Sequence, residues 1–223
     1  MDRGIWAIWY DLETEHRSEY LNWFHQTHVP EKLSRPGYLW AAHYALEADK
    51  GYLALFGGET THTFLNPSPG QLAQRQSAET KRHMQMRQSS SACILAEEAR
   101  VDGPERGVRD VSGTPGPVIQ FGNYNAATPS VEDDLGGWYA QERLPLLAKL
   151  RGCVGARKML ATVGAYKHAI LHEFASLELR EQHFGPHEAQ AHDPTTWMGR
   201  VRPQLAHAPR SPAIGRRIWP PLD

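Results

Sequence analysis

The sequence predicts an α+β chain in which one β-α-β-β-α-β unit is written twice. Three observations point there. First, sliding the 223-residue chain along itself by 115 positions (138 − 23) sets Trp23 on Trp138, Phe24 on Tyr139, Gln26 on Gln141, Val29 on Leu144, Pro30 on Pro145 and Gly37 on Gly152, with no gap. Second, each half runs through apolar strand, helix start, interrupting proline, glycine turn and further strands in the same order. Third, the stretch between the halves, DGPERGVRDVSGTPGP, is rich in Gly and Pro and reads as a joint. The expected division is one repeat over 1–102, a linker over 103–117 and a second repeat over 118–223, ending in a Pro-rich segment.

The elements follow in order. Ile5 to Tyr10 and Val118 to Tyr124 are the opening strands. Trp6, Ile8 and Tyr10 fall on one face, and Ile5, Ala7 and Trp9 on the other. Apolar residues on both faces predict a strand covered on both sides. Thr14 with Glu15, and more clearly Thr128 with Pro129, mark helix starts, because a Thr hydroxyl caps free N–H groups and proline suits the first turn. Tyr20, Trp23, Phe24 and Thr27 make an apolar stripe in the first half; Leu135, Trp138 and Tyr139 make its counterpart. Pro30 and Pro145 lack the N–H owed to Gln26 and Gln141, so a kink or helix end is expected there. Turns at Gly37 and Gly152 lead into Tyr38–Leu46 and Cys153–Leu160. After turns at Asp49–Lys50–Gly51 and Gly164 come Tyr52–Phe56 and His168–Phe174. A second helix is expected over roughly 71–88, and its partner is obscured by Pro186 and Pro194. Cys93–Ala99 and Ile214–Trp219 close the halves. Pro203 to Pro212 reads as extended surface chain.

This order is the split βαβ of the ferredoxin-like fold, whose antiparallel sheet carries helices on one face only. The bare face must be covered. Two such sheets packed face to face cover each other, so tandem ferredoxin-like repeats predict an intrachain dimeric α/β barrel.

Composition narrows the function. Lys plus Arg is 24 and Asp plus Glu is 25, which lacks the basic excess of a nucleic-acid or anionic-membrane protein. No apolar run approaches the roughly 18 residues of a membrane span, and the N-terminus lacks the segments of a secretory signal. Two cysteines, Cys93 and Cys153, form no metal quartet or disulfide framework, so a reduced cytoplasm is the simplest home. No phosphate-cradling loop, dinucleotide fingerprint or nucleophile elbow is present. Twelve His and seven Trp stand out.

Trp23-Phe24, then His28-Val29-Pro30-Glu31, then Pro36-Gly37-Tyr38 resembles the dimeric α/β-barrel superfamily. That group holds antibiotic-biosynthesis monooxygenases, muconolactone isomerases, EthD-like ether-degradation proteins and isomerases of aromatic ring-cleavage products. The second half keeps Trp138-Tyr139 and Pro145 but has Arg143 at the His position and Arg151-Gly152 for Pro-Gly. The resemblance implies a ligand held between sheet and helices, in a group many of whose members need no cofactor; none is expected here, and no metal is assigned.

Side-chain chemistry supplies the candidates. His28 lies near the apolar stripe, close to the expected helix end, where the dipole favours its charged form; it is a candidate general acid or base, or a cap for loose carbonyls. His43 sits on the second strand among small apolar neighbours, as a pocket or core histidine. His168 and His172 share one strand face while Glu173 points the other way. They are candidate catalytic groups; metal ligation and plain exposure stay open. Tyr10 is a candidate pocket wall, and Arg143, Arg157 and Lys158 are candidate grips for a substrate carboxylate. His183, His187 and His192 read as a mobile surface loop, and His83 as part of a solvated helix face. The resulting expectation is a cofactor-independent isomerase of a carboxylated ring-fission product in aromatic catabolism. A cofactor-free oxygenase, lyase or dehydratase, a non-catalytic ligand-binding protein and a haem protein are the alternatives. A small molecule is the expected partner, with nucleic acid and membrane excluded and a homodimer left open.

Overall fold

The computed structural model describes residues 2–48, 51–109 and 113–222. The expected turn residues Asp49 and Lys50, and positions 110–112 of the expected linker, lie outside them. Among the described residues the strands are β1 (Gly4–Leu12), β2 (Tyr38–Leu46), β3 (Tyr52–Gly58), β4 (Arg87–Asp102), β5 (Val118–Ala126), β6 (Cys153–Val163), β7 (His168–Phe174), β8 (Leu205–His207) and β9 (Ala213–Trp219). β4 and β6 run well beyond the expected lengths. Short β8 pairs with β5 inside the stretch expected to be plain surface chain.

The first half has strand order β4-β1-β3-β2, and the second has β6-β7-β5-β9. Each order puts the half's opening and third strands in the middle, as the split βαβ requires. The halves join at their edges, β4 to β6 and β2 to β9, in antiparallel ladders. The ladder β7-β6-β4-β1-β3-β2-β9-β5 then returns to β7. One continuous sheet closed on itself therefore replaces the expected pair of sheets stacked face to face. Edge pairing satisfies backbone N–H and C=O groups that would otherwise stay open.

Side-chain alternation now gives three cores. Ile5, Ala7, Trp9, Phe121, Met159 and Leu171, drawn from both halves, fill the inside of the ring. Outside it, Trp6, Ile8, Tyr10, Tyr20, Phe24 and Phe56 pack the first half's sheet against its helices. Tyr124, Leu135, Tyr139, Leu147, Ile170 and Phe184 do so in the second. The ring interior is polar at one end. There Arg157 is fully buried and donates to Glu173 and Asp2, and the Trp40 indole also donates to Asp2.

The prolines do not end their helices. α1 (Thr14–Trp23) runs through a π turn, Phe24–His28, into α2 (Val29–Leu33). The Val29 N–H reaches back five residues to the Phe24 carbonyl. In the second half Pro129–Trp138, below called α5, passes through Tyr139–Arg143 into Leu144–Leu147, called α6, and Leu144 N–H bonds the Tyr139 carbonyl. Each π turn inserts one residue into the helical register, so the buried stripe steps sideways. Tyr20, Trp23, Phe24, His28, Val29 and Lys32 are buried, and so are Leu135, Trp138, Tyr139, Arg143, Leu144 and Leu147. Every pair differs by 115 (135 − 20 through 147 − 32). Thr27, expected on the stripe, is exposed. His28 is likewise not at a helix terminus, because the chain stays helical to Leu33.

The turn after each helix ends on a glycine in the left-handed region, Gly37 (φ +83) and Gly152 (φ +84), immediately before the next strand. A Cβ at Gly152 would sit 2.6 Å from Leu179 Cβ, so this turn has no room for another residue. The expected helix over 71–88 is two short ones, α3 (Pro69–Gln74) and α4 (Ala78–Met84), capped by Ser68 and Ser77. His83, expected in solvent, is buried and stacked on Trp23 with ring centroids 4.3 Å apart. The expected surface loop around His183 is helical as well: α7 (Leu177–Leu179), a third π turn at Arg180–Phe184, and α8 (Gly185–Ala189), with α9 (Trp197–Val201) beyond. Among the described residues no helix is long and apolar enough to cross a membrane.

Candidate active site in the second half

β5 and β7 form the floor of a cavity, and α5, its π turn, α8 and α9 form its roof. Gln120, Tyr124, Trp138, Tyr139, Arg143, Ile170, His172, Glu188, Met198 and their neighbours line a cavity that opens to solvent and has about 50 Å³ of free volume. Its walls are mostly apolar and aromatic, the usual lining of a small-molecule site.

His172 is the distinctive group. Strand alternation turns it toward the helices, and it is 3% exposed. Neither ring nitrogen makes a well-formed hydrogen bond, only a loose approach to the Gln120 backbone, although buried polar atoms nearly always have one. Burial holds the imidazole down at about 3, and the Arg143 guanidinium pushes the same way. The ring is therefore neutral at pH 7, with a free lone pair.

The surrounding polar groups are tied to one another. Arg143 donates to Glu188 at 2.7 Å while its guanidinium lies 4.5 Å from the Phe184 ring centroid. Glu188 also accepts from the Gln120 amide at 3.0 Å. Burial alone would raise the Glu188 carboxyl, but Arg143 and the amide overcome this and hold it at about 2. The Tyr124 hydroxyl donates to the Tyr139 hydroxyl at 2.8 Å. Two hydroxyls in one such contact share a single proton between them, leaving the other free for a ligand oxygen. Arg143 and Arg202 set two positive charges on the lining against the one negative charge of Glu188.

The sequence candidates do not converge on one place. Arg143 and His172 meet in this cavity. His168 shares the face of His172 but opens onto a different groove, where it bonds Glu132 at 2.6 Å. Lys158 borders that groove and is paired with Glu98. Arg157 sits inside the ring, on the opposite side of the sheet, bound to Glu173 and Asp2. It is turned away from every helix-side cavity, because neighbouring residues on a strand face opposite ways.

Tyr10 and His43 meet in the first half. The Tyr10 hydroxyl is 2.7 Å from His43 Nε2, and His43 Nδ1 is 2.8 Å from His25 Nε2. Burial keeps His43 far below its usual range. His25, half-buried against Trp219, carries this chain toward solvent. Where the second half has its cavity, the rings of Tyr10, Tyr20, Phe24 and Tyr52 pack together under Arg87. His28 lies apart, under a separate opening with Lys32 and Arg35. Burial holds it at about 2.

Glu188, Gln120, Tyr124, His25 and Lys32 went unmarked as site groups. Glu188 lies in a segment whose Gly and Pro content reads as loop, and only the register shift of a π turn brings Lys32 under the helix.

No protein-family model matches the sequence, and no curated protein matches it. Solved structures of similar fold span it almost end to end. An anthrone oxidase-like protein has 14% identity and TM-score 0.62, covering 97% of this chain and 91% of that one. A protein described as a monooxygenase, from Fusobacterium nucleatum subsp. nucleatum, has 8% identity and TM-score 0.60, covering 97% and 93%. A mutant chlorite dismutase from Candidatus Nitrospira defluvii has 11% identity and TM-score 0.59, covering 100% and 93%. What these proteins share with the chain is the fold, ferredoxin-like in strand order and α+β in class.

Proposed function

We propose that the chain is a small-molecule enzyme that removes a proton from a carbon acid, a C–H made acidic by a neighbouring carbonyl and aromatic ring, and passes the resulting carbanion to dioxygen. The duplicated unit, on this reading, is a dimeric α/β barrel within one chain whose second half kept the working cavity. The observation that carries it is the neutral His172, without a well-formed hydrogen bond, in an apolar cavity.

His172 would act as general base. A lone imidazolium there would be costly, but the transferred proton leaves an enolate of opposite charge beside it. The Tyr124–Tyr139 pair would donate to the enolate oxygen, and the excess positive charge of Arg143 and Arg202 over Glu188 would stabilise it. The carbanion gives one electron to dioxygen, and the two radicals combine as a peroxide, which the imidazolium protonates. Loss of the second C–H proton with hydroxide, as water, leaves a ketone. A CH2 group and one O2 become a C=O group and one water, so atoms and electrons balance.

The likeness to an anthrone oxidase-like protein supports the choice of dioxygen and suggests anthrone as a probe. An isomerase of a carboxylated ring-fission product would share the first step. It is less well served, because the expected carboxylate grips are already held: Arg143 by Glu188, Arg157 by Glu173 and Asp2, and Lys158 by Glu98.

An oxygen electrode tests the proposal. Wild-type protein with anthrone is expected to consume oxygen well above buffer, and His172→Leu to lose at least 100-fold of that rate. Binding seen as raised melting temperature, with no oxygen uptake above buffer, would overturn the oxygenase reading and favour a non-catalytic protein.

A further inference from the structure

Where the second half buries Leu147 against its sheet, the first half buries Lys32 (147 − 32 = 115). Lys32 is 5% exposed, and among the described residues its ammonium has no ion-pair or hydrogen-bond partner. It rests 4.2 Å from the Trp6 ring centroid and 5.3 Å from that of Phe56. A buried cation without a counter-charge is expensive, and facing rings offset only part of the cost.

The same opening gathers two more unsatisfied groups. His28 Nδ1 and Arg35 Nη1 are buried without partners. The opening is bounded by the π turn and α2 on one side and by α3 and α4 on the other, and holds about 670 Å³ of space, part of it open to solvent. Arg75 stands exposed at its rim and, among the described residues, has no ion partner. Only Glu31 is negative there, and it is taken up by Arg35 at 2.8 Å. Lys32, Arg35 and Arg75 against Glu31 leave two positive charges, with His28 neutral.

We propose that this opening is a second ligand site, distinct from the cavity in the other half, and that it takes a small molecule through a carboxylate or phosphate group seated on Lys32, Arg35 and His28. The oxyanion would supply the counter-charge that Lys32 lacks and accept from the free Nη1 of Arg35. Arg75 would close over the outer oxygens. The site does not depend on the chemistry proposed for His172.

Protonation gives the site a signature. Burial lowers the Lys32 ammonium to about 7, and nearby Arg35 and Arg87 push the same way while Glu31 opposes them. The other titratable groups about it are His28, which lines the same opening and is held neutral by burial, and beyond it His83 on α4, stacked on Trp23. A bound anion needs the charged form, so its affinity must fall as pH rises through 7.

Isothermal titration of the full chain at constant ionic strength tests this, with benzoate for a carboxylate and sulfate for a phosphate group, since neither changes charge between pH 6 and 8. At least one is expected to bind saturably at pH 6 and about tenfold more weakly at pH 8. Which of them binds tells the carboxylate from the phosphate class. Lys32→Leu copies the second half's own residue and is expected to fold and to lose binding, and Arg75→Ala to weaken it several-fold. No saturable binding of either anion, or equal binding by folded Lys32→Leu, would overturn the proposal. So would affinity that does not change between pH 6 and 8.

Discussion

Lowering the pH should destabilise this protein through its buried histidines; His43, held far below its usual range, and His25, held at about 4, act in the same direction as His172 and His28, which set a lower bound on the effect. His172 and His28 start from the ordinary value of 6.5 and are held at about 3 and about 2 when folded. Between pH 6.5 and 5 the unfolded chain gains a proton at each ring while the folded chain gains none. Stability therefore falls with pH, and each ring contributes about 1.4 kcal/mol per pH unit. By pH 5 this amounts to about 2 kcal/mol per histidine and about 4 for the pair, a large part of a typical 5–15 kcal/mol. Urea unfolding followed by tryptophan fluorescence at pH 7, 6 and 5 reads the slope. His172→Leu replaces a ring with no well-formed hydrogen bond to lose. It should flatten the slope by about one proton, so its stability relative to wild type rises steadily on acidification. Equal slopes for variant and wild type would refute a neutral, desolvated His172.

Other perturbations read other parts of the molecule. Glu173→Ala leaves the fully buried Arg157 with Asp2 as its one carboxylate and Arg109 with Asp102, and should cost about 3 kcal/mol in urea unfolding. Gly152→Ala forces a Cβ onto Leu179 at a positive φ, and should lower the melting temperature by more than a surface substitution does, with a cost of about 1–3 kcal/mol. Tyr139→Phe removes a hydroxyl from the second-half cavity. It should lower kcat/KM about 100- to 1000-fold, the range for one lost donor to a developing charge, and cost about 1–3 kcal/mol in urea unfolding because the buried Tyr124 hydroxyl loses its acceptor. Burial pushes the Cys93 and Cys153 thiols up to about 12, so neither should react with iodoacetamide at pH 8 until the protein unfolds.

The strands were the most legible part of the sequence. Tyr38–Leu46 and His168–Phe174 have the bounds their apolar runs suggest, because residues covered on both faces leave an unbroken apolar signal. The two-faced pattern of β1 also told correctly that Trp9 and Trp6 enter different cores. The helix faces were harder to read. Period 3.6 carries the stripe from Phe24 to Thr27, whereas the π turn carries it to His28 and then Lys32, and nothing local in FHQTH marks the inserted residue. Arg157 and Lys158 look alike in sequence, yet alternation sends one into the ring and the other to the helix side. Glu188 was hidden for a different reason: a segment with Gly185 and Pro186 reads as irregular, and its helical register depends on packing Phe184 against Phe174.

The most direct test of the chemistry removes dioxygen, because proton abstraction precedes any later fate of the carbanion. Anthrone incubated without oxygen in heavy water should exchange its acidic C–H for deuterium faster with the wild-type protein than in buffer. His172→Leu should bring the rate back to that of buffer, and His168→Gln should leave it near wild type. Exchange no faster than buffer, or undiminished in His172→Leu, would contradict a general base in the second-half cavity.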